Sequence, residues 1–144
     1  MAGPKITRAT LVPVLRYRDS TRAVAWLCEN FGFAKHAYYE DETGTCVHAE
    51  LAFGNGMIMI GPVRDTAFGK FMVQPDEIGG RQTQSLFAIV ADPDAHCAKA
   101  KAAGAEIVME LRDESYGGRE YTCRDLEGHI WTFSTYDPWS TGPG

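Results

Sequence analysis

The sequence predicts an α+β fold made of two βαβββ modules in tandem, each a four-stranded sheet with one helix. Two observations lead to this prediction. The hydrophobic period changes from strand to helix and then to three strands, in the same order, in both halves of the 144-residue chain. The candidate helix caps Asp19 and Asp92 lie 73 positions apart, and each is followed by a helix-ending glycine, Gly32 and Gly104.

The first module begins with a strand-like run over residues 11–17, followed by a helix over residues 20–31. Asp19 or Ser20 can cap this helix, because a short polar side chain accepts from the free amides of the first turn. The apolar stripe has the spacing i, i+3, i+4 and i+7 and consists of Val24, Leu27, Cys28 and Phe31. Three strands follow at residues 33–39, 45–53 and 57–60, joined by turn residues.

The second module repeats this order. A strand over residues 85–90 leads to Asp92 as cap and Pro93 at the first helical position, and an alanine-rich helix ends at Gly104. Strands are predicted at residues 105–111, 119–124 and 129–134. We therefore expect a single domain over residues 1–144, with modules 8–62 and 84–136 joined by the linker 63–83. Each module is near the lower size limit for independent stability.

Composition excludes several classes of protein. The 14 basic and 19 acidic residues give a net charge of −5, and no basic run is present to neutralise a phosphate backbone, so we expect no nucleic-acid partner. No apolar run is long enough to cross a membrane and the first ten residues do not resemble a secretion signal, so we expect no membrane contact and a cytoplasmic location. The four scattered cysteines are expected to be reduced, structural thiols.

Strand alternation assigns side chains to faces. Val47, Ala49, Leu51 and Phe53 should pack on the helix, which leaves His48 and Glu50 on the opposite face. The corresponding strand of the second half places Glu120, Thr122 and Arg124 opposite Tyr121 and Cys123, and the last strand buries Trp131 and Phe133. Arg16 shares a face with Val12 and Val14, either among the carboxylates of that face or in a solvated edge pair.

Three runs in the second half carry a family resemblance. These are Y-G-G-R-E-Y at residues 116–121, R-D-L-E-G-H-I-W at residues 124–131 and Y-D-P at residues 136–138. They resemble the glyoxalase/bleomycin-resistance/extradiol-dioxygenase superfamily, also called vicinal oxygen chelate proteins, although Leu126 stands where members usually have proline. The resemblance implies paired modules that form a half-open barrel around a cleft, within one chain or exchanged across a dimer, and we expect a homodimer.

The same resemblance implies a divalent metal held by His, Gln or Glu from the first and last strands of each module. Here those positions fall at Val12, at Ser85, at Met59 or Ile60, and at Thr132. None is a usual ligand, and a register shift of one residue adds only Gln84 as a weak donor. We therefore predict no metal and no cofactor, which puts the metal-dependent activities of the family in doubt.

The candidate site residues follow from these faces and from the glycine-flanked loop before the seventh strand. Glu50 and Glu120 are candidate general bases beside Arg16 or Arg124, with a structural ion pair as the alternative. His48, Glu50 and Glu120 could form a non-standard metal site, and Tyr116 either contacts a ligand or locks its loop. Predicted ligand-binding residues are Arg16, His48, Met57, Ser85, Phe87, Tyr116, Arg119, Thr122, Arg124, Ile130 and Thr132.

Three polar residues are expected outside the site. Asp125 should accept backbone amides of the turn that ends at Gly128. His96 and His129 are expected to be solvated residues of a helix and a turn.

Two functions remain open at this point. The first is a binding protein that sequesters a small organic molecule, an antibiotic or a metabolite, by shape, aromatic contacts and charge. The alternative is a glyoxalase-like lyase or isomerase that uses a carboxylate base or a metal bound through His48.

Overall fold

The computed structural model describes residues 3–4 and 7–141. Its first unit extends to Gln74 and contains one four-stranded sheet, with a single α-helix packed on it. The strands run in the order β1-β4-β3-β2, with β1 parallel to β4 and the other neighbours antiparallel. The elements are β1 (Val14–Tyr17), α1 (Ser20–Asn30), β2 (Ala34–Glu40), β3 (Cys46–Phe53) and β4 (Gly56–Pro62).

The second unit begins at Pro75 and repeats this topology, with the order β5-β8-β7-β6 and β5 parallel to β8. Its elements are β5 (Leu86–Ile89), α2 (Pro93–Ala102), β6 (Glu106–Asp113), β7 (Arg119–Arg124), β8 (Ile130–Ser134) and the short α3 (Pro138–Thr141). Two 3-10 turns, Phe68–Phe71 and Pro75–Ile78, lie in the segment between β4 and β5. The predicted α+β class with two βαβββ repeats is confirmed, and neither sheet closes into a barrel.

The helices α1 and α2 begin where the sequence indicated. The Asp19 carboxylate accepts from the amide of Arg22 at 3.0 Å, and the Asp92 carboxylate accepts from the amide of Ala95 at 3.1 Å. Each bond satisfies one of the amides that a helix start leaves without a partner. Asp19, and not Ser20, is therefore the cap of α1.

The cores form where each helix meets its sheet. In the first unit the fully buried side chains include Tyr17, Leu27, Phe31, Leu51 and Ile60. In the second they are Tyr121, Cys123, Trp131 and Phe133, so the predicted burial of Trp131 and Phe133 is confirmed.

A β-bulge changes the predicted faces of β3 at one end. Tyr39 pairs with His48, but the next residue, Glu40, pairs with Cys46, so Val47 is the extra residue. Cys46 therefore takes the buried position, while Val47 is only partly buried. Simple alternation placed Val47 in the core, and this prediction is wrong.

The expectation of solvated histidines is also wrong. His129 is buried. His96 is half-buried on α2, with its ring centroid 3.9 Å from that of Phe133 and its Nδ1 2.5 Å from the Tyr121 hydroxyl.

The four cysteines carry free thiols, and Cys46, Cys97 and Cys123 are buried. Within residues 3–4 and 7–141, no helix combines the length and the apolar character needed to cross a membrane.

Candidate functional site

Each sheet has one face against its helix and one face turned away from it, which we call the distal face. On the sheet of the second unit, Phe87 pairs with Thr132, and Thr132 pairs with Thr122. Because partners across neighbouring strands lie on the same face, these three side chains form one row on the distal face. The hydroxyls of Thr122 and Thr132 lie 2.8 Å apart and are hydrogen-bonded to each other.

Phe87, at one end of this row, groups with two further aromatic rings. We call these three residues the ring cluster: Phe87, Tyr116 and Tyr136. The Tyr136 ring is edge-on to Phe87, with centroids 6.5 Å apart, and edge-on to Tyr116, with centroids 5.1 Å apart. Phe87 remains 47% exposed and Tyr116 54% exposed. The ring cluster thus leaves aromatic surface exposed in the folded protein.

Glu120 lies next to the ring cluster and is only 4% exposed. Its Oε1 accepts from the Tyr116 hydroxyl at 2.6 Å and from Ser134 Oγ at 3.0 Å. Its Oε2 accepts from the Arg112 guanidinium at 3.2 Å. Donation to Glu120, together with partial burial and the carboxylate charge, raises the pKa of Tyr116 to about 12.

The other predicted residues of the second unit are more dispersed. Arg124 donates to the Glu106 carboxylate at 2.5 Å and to the Gly80 carbonyl at 3.1 Å, which ties the segment before β5 to the sheet. Arg119 instead reaches α2, where its Nε and Nη2 donate to Asp94 at 2.9 and 3.0 Å. Ile130 pairs with Arg124 on the distal face, and Ser85 is exposed just before β5.

On the distal face of the first sheet, His48 and Glu50 form a pair. Their Nε2 and Oε2 atoms lie 3.0 Å apart, and both side chains are partly exposed. The Tyr39 ring stacks on His48 with centroids 6.1 Å apart. In the register of the strands, Glu50 pairs with Met59, and Met57 lies two residues earlier on the same face.

Arg16 lies on the same face as this pair but is buried. Its Nε donates to the Pro62 carbonyl at 3.2 Å and its Nη2 to the Arg64 carbonyl at 2.9 Å. The Gln74 side chain donates to the Arg16 carbonyl at 2.9 Å. Arg16 thus anchors the segment that follows β4.

The turn that carries the family-like motif has a structural role. Asp125 Oδ1 accepts from the amides of Glu127 and His129, both at 3.0 Å, and Oδ2 accepts from Trp131 Nε1 at 3.0 Å. The prediction that Asp125 accepts backbone amides is confirmed.

The positions at which the resemblance implied metal ligands do not offer a suitable donor set. Val12 and Met59 have no nitrogen or oxygen in their side chains, and Ile60 is fully buried in the core. The Thr132 hydroxyl is already bonded to Thr122. Hard and borderline cations need carboxylate, imidazole or several other oxygen ligands, which these side chains do not supply. Among the described residues, no group of three His, Cys, Asp or Glu side chains could hold a metal ion.

Sequence reasoning missed Tyr136, Ser134, Arg112 and Tyr39 as neighbours of the candidate residues. Alternation along β8 could have found Ser134, which stands two residues after Thr132 on the same face. For Tyr136 and Tyr39 the sequence offered no signal beyond the aromatic side chain itself, because their contacts depend on cross-strand register.

Similarity to a known family extends over most of the chain. Residues 9–133 match the Glyoxalase/Bleomycin resistance protein/Dioxygenase superfamily. An uncharacterized protein of Mycobacterium tuberculosis is 25% identical over 146 residues, covering 92% of this chain and 85% of that protein.

Two solved structures illustrate the range of similarity. TioX from Micromonospora sp. ML1 is 37% identical with a TM-score of 0.67, covering 86% of this chain and 95% of TioX. The genomically encoded fosfomycin resistance protein FosX from Listeria monocytogenes is 15% identical with a TM-score of 0.59, covering 86% of this chain and 89% of FosX. The second likeness shows the fold alone.

Proposed function

The chain belongs to the Glyoxalase/Bleomycin resistance protein/Dioxygenase superfamily, and we propose that it binds and sequesters a small organic molecule, an antibiotic or a metabolite, without a metal. The observation that carries this proposal is the ring cluster, which leaves Phe87 and Tyr116 about half exposed on the distal face of the second sheet. Ligand pockets are lined mainly by apolar and aromatic side chains with a few polar groups that fix orientation.

The polar groups available to such a ligand are the Thr122 and Thr132 hydroxyls. Either of the two can be the donor in their mutual bond, so one hydroxyl proton remains to bond a ligand acceptor. Ile130 and Met109 extend the apolar surface along the same face. The arrangement therefore suits a ligand with a flat apolar part and one or two polar atoms.

The proposal includes the assembly and location of the protein. The protein would form a homodimer in the cytoplasm, and modules 8–62 and 84–136 would form one domain. Each module is small for an independent fold, and in the described part of the chain each sheet has its helix on one face only. Sedimentation equilibrium would test the oligomeric state, and a monomer at all concentrations would contradict it.

The binding proposal is tested by titration calorimetry with a library of aromatic small molecules after dialysis against a chelator. We expect one compound class to bind with the same affinity before and after dialysis, and to be recovered chemically intact. Phe87→Ala should weaken binding about two- to tenfold, because an aromatic contact contributes about 0.5–1.5 kcal/mol. Trp139→Ala, which removes an aromatic ring 91% exposed and outside the cluster, is the control. Loss of binding after dialysis against the chelator, or unchanged affinity in Phe87→Ala, would overturn the proposal.

The His48–Glu50 pair favours a second candidate function, a proton transfer of the lyase or isomerase type. When Glu50 accepts the Nε2 proton of His48, the imidazole is oriented and Nδ1 is left as the proton acceptor. His48 Nδ1 has no hydrogen-bond partner within the part of the chain that the structure describes. An α-hydroxy carbonyl compound would give its carbon-bound proton to Nδ1 and form an enediolate. It would receive that proton back on the former carbonyl carbon, while its hydroxyl proton moves to the former carbonyl oxygen and the hydroxyl carbon becomes the new carbonyl.

Of the two carboxylates, Glu50 is favoured over Glu120 for this step, because Glu50 orients the base His48. Both Glu120 oxygens already accept hydrogen bonds, and its charge is paired with Arg112. For any compound that is turned over, Glu50→Gln should abolish turnover while binding persists. Unchanged turnover in both Glu50→Gln and Glu120→Gln would contradict a catalytic contribution of either carboxylate.

A further inference from the structure

The buried carboxylate of Glu120 connects two of the three rings of the ring cluster. Tyr116 is attached directly, through its hydroxyl. Tyr136 is attached through Ser134, whose Oγ donates to Glu120 and accepts from the Tyr136 amide, each at 3.0 Å. One side chain thus holds both tyrosines in place, and Tyr136 in turn contacts Phe87.

The backbone at Gly118 also constrains the ring cluster, because it passes close to Tyr136. Gly118 has a φ of +88°, and a Cβ at this position would lie 2.8 Å from both the nitrogen and the Cβ of Tyr136. The loop that carries Tyr116 therefore passes against Tyr136 only because residue 118 has no side chain. The hydrogen bonds through Glu120 and the close packing of Gly118 against Tyr136 therefore both hold the ring cluster in place.

Two arginines of this sheet are already paired with carboxylates. Arg112 forms ion pairs with both Glu114 and Glu120, and Arg124 forms one with Glu106. A charged ligand would have to compete with these pairs or face a carboxylate. An uncharged ring system needs only the aromatic and apolar surface.

We infer that Glu120 is a positioning residue that fixes Tyr116 and Tyr136, and that the ring cluster selects an uncharged, planar ring system. This inference rests on the proposed function, since it takes the ring cluster as the binding surface. Glu120 does not itself touch the ligand in this arrangement. Its side chain accepts hydrogen bonds from Arg112, Tyr116 and Ser134.

The test combines a titration with a binding measurement. In protein with 13C-labelled tyrosine, the pKa of Tyr116 should fall from about 12 towards 10 in Glu120→Gln, because the amide accepts the hydrogen bond without the negative charge. The assignment of the resonance comes from Tyr116→Phe. Glu110→Gln, an exposed carboxylate paired with Lys101 on the same unit, is the matched control and should leave the titration unchanged.

Binding is measured with two fluorescent probes that share a ring system. N-phenyl-1-naphthylamine is uncharged, and 1-anilinonaphthalene-8-sulfonate is its anionic counterpart. We expect tighter binding of the uncharged probe, and a two- to tenfold weakening of it in Glu120→Gln, which corresponds to about 0.5–1.5 kcal/mol of aromatic contact. Should Glu120→Gln not fold, Ser134→Ala should loosen Tyr136 and produce the same weakening.

The possible failures are distinguishable. If neither probe binds the wild-type protein, the proposed function fails, while the tyrosine titration still decides whether Glu120 positions Tyr116. An unchanged pKa of Tyr116 in Glu120→Gln, or wild-type affinity in both Glu120→Gln and Ser134→Ala, would overturn the positioning role. Tighter binding of the anionic probe would overturn the ligand class.

Discussion

Phe87 lies beside Thr132 in the parallel pair formed by β5 and β8. In the first unit Val14 lies beside Met59 in the parallel pair formed by β1 and β4. Phe87 stands 73 positions after Val14, and Thr132 stands 73 positions after Met59, so the repeat in the sequence preserves the strand register. The equivalent rows nevertheless differ in chemistry, since the first ends at the His48–Glu50 pair and the second at the ring cluster.

Gly118→Ala should destabilise the protein and disturb the ring cluster. The positive φ alone costs about 1–2 kcal/mol for an alanine, and the added methyl group would also collide with Tyr136. Urea unfolding measures the change. Gly117→Ala is the control, because Gly117 also has a positive φ but a Cβ added there would meet no atom within 4 Å. Equal losses in the two variants would exclude the steric contribution.

Asp125→Ala should lower the free energy of unfolding by about 3 kcal/mol or more. The substitution removes the acceptor for three hydrogen bonds, including that of the buried Trp131 indole, and each charge-assisted bond contributes about 1.5–3 kcal/mol before the loop relaxes. Urea unfolding followed by circular dichroism measures the loss. Asp137→Ala removes an exposed acceptor of the Trp139 amide and should change the stability little. A loss below about 1 kcal/mol in Asp125→Ala would be inconsistent with this role of the turn.

The Asp94–Arg119 contact should give a pH-dependent contribution to stability. Hydrogen bonding to Arg119 lowers the pKa of Asp94. A lowered folded-state pKa stabilises the protein above the usual value of 3.8 and loses this effect as the pH falls through the folded value. The difference in melting temperature between wild type and Asp94→Asn should therefore be present at neutral pH, shrink in acid and decrease with salt.

The matching control for that experiment is Asp65→Asn, at an exposed aspartate outside the helices and strands. The difference in melting temperature between wild type and Asp65→Asn should not shrink in acid as it does for Asp94→Asn. A constant difference for Asp94→Asn from neutral pH to strongly acidic pH would contradict the linkage.

The thiols should react in an order set by their burial. Burial raises the pKa of Cys28, Cys46 and Cys97, and raises that of Cys123 to about 12. Because the thiolate is the reactive form, Cys28, which is the least buried, should react first with Ellman's reagent in the native protein, and Cys123 should not react before unfolding. Mass spectrometry locates the label, and urea-unfolded protein gives the total. Early labelling of Cys123 would show that the core of the second unit opens readily.

Much of the fold follows from local rules that operate along the chain. The strand and helix periods, the Asp19 and Asp92 caps and the glycine stops predicted both βαβββ units, because each of these signals depends on neighbours within a few residues. Strand alternation also placed Glu120, Thr122 and Thr132 on the distal face. It failed at Val47, since a bulge depends on the pairing of two strands and leaves no mark in one of them.

The sequence by itself therefore determined the family, the repeat and the side of each sheet on which a polar residue lies. Only the tertiary structure decided which of these residues meet. It joined Glu120 to Tyr116 and, through Ser134, to Tyr136, turned Arg119 towards α2, and used Arg16 to hold a loop. The reason is physical: periodicity fixes the direction of a side chain, whereas its partner is fixed by strand order and register, which bring residues from distant parts of the chain together.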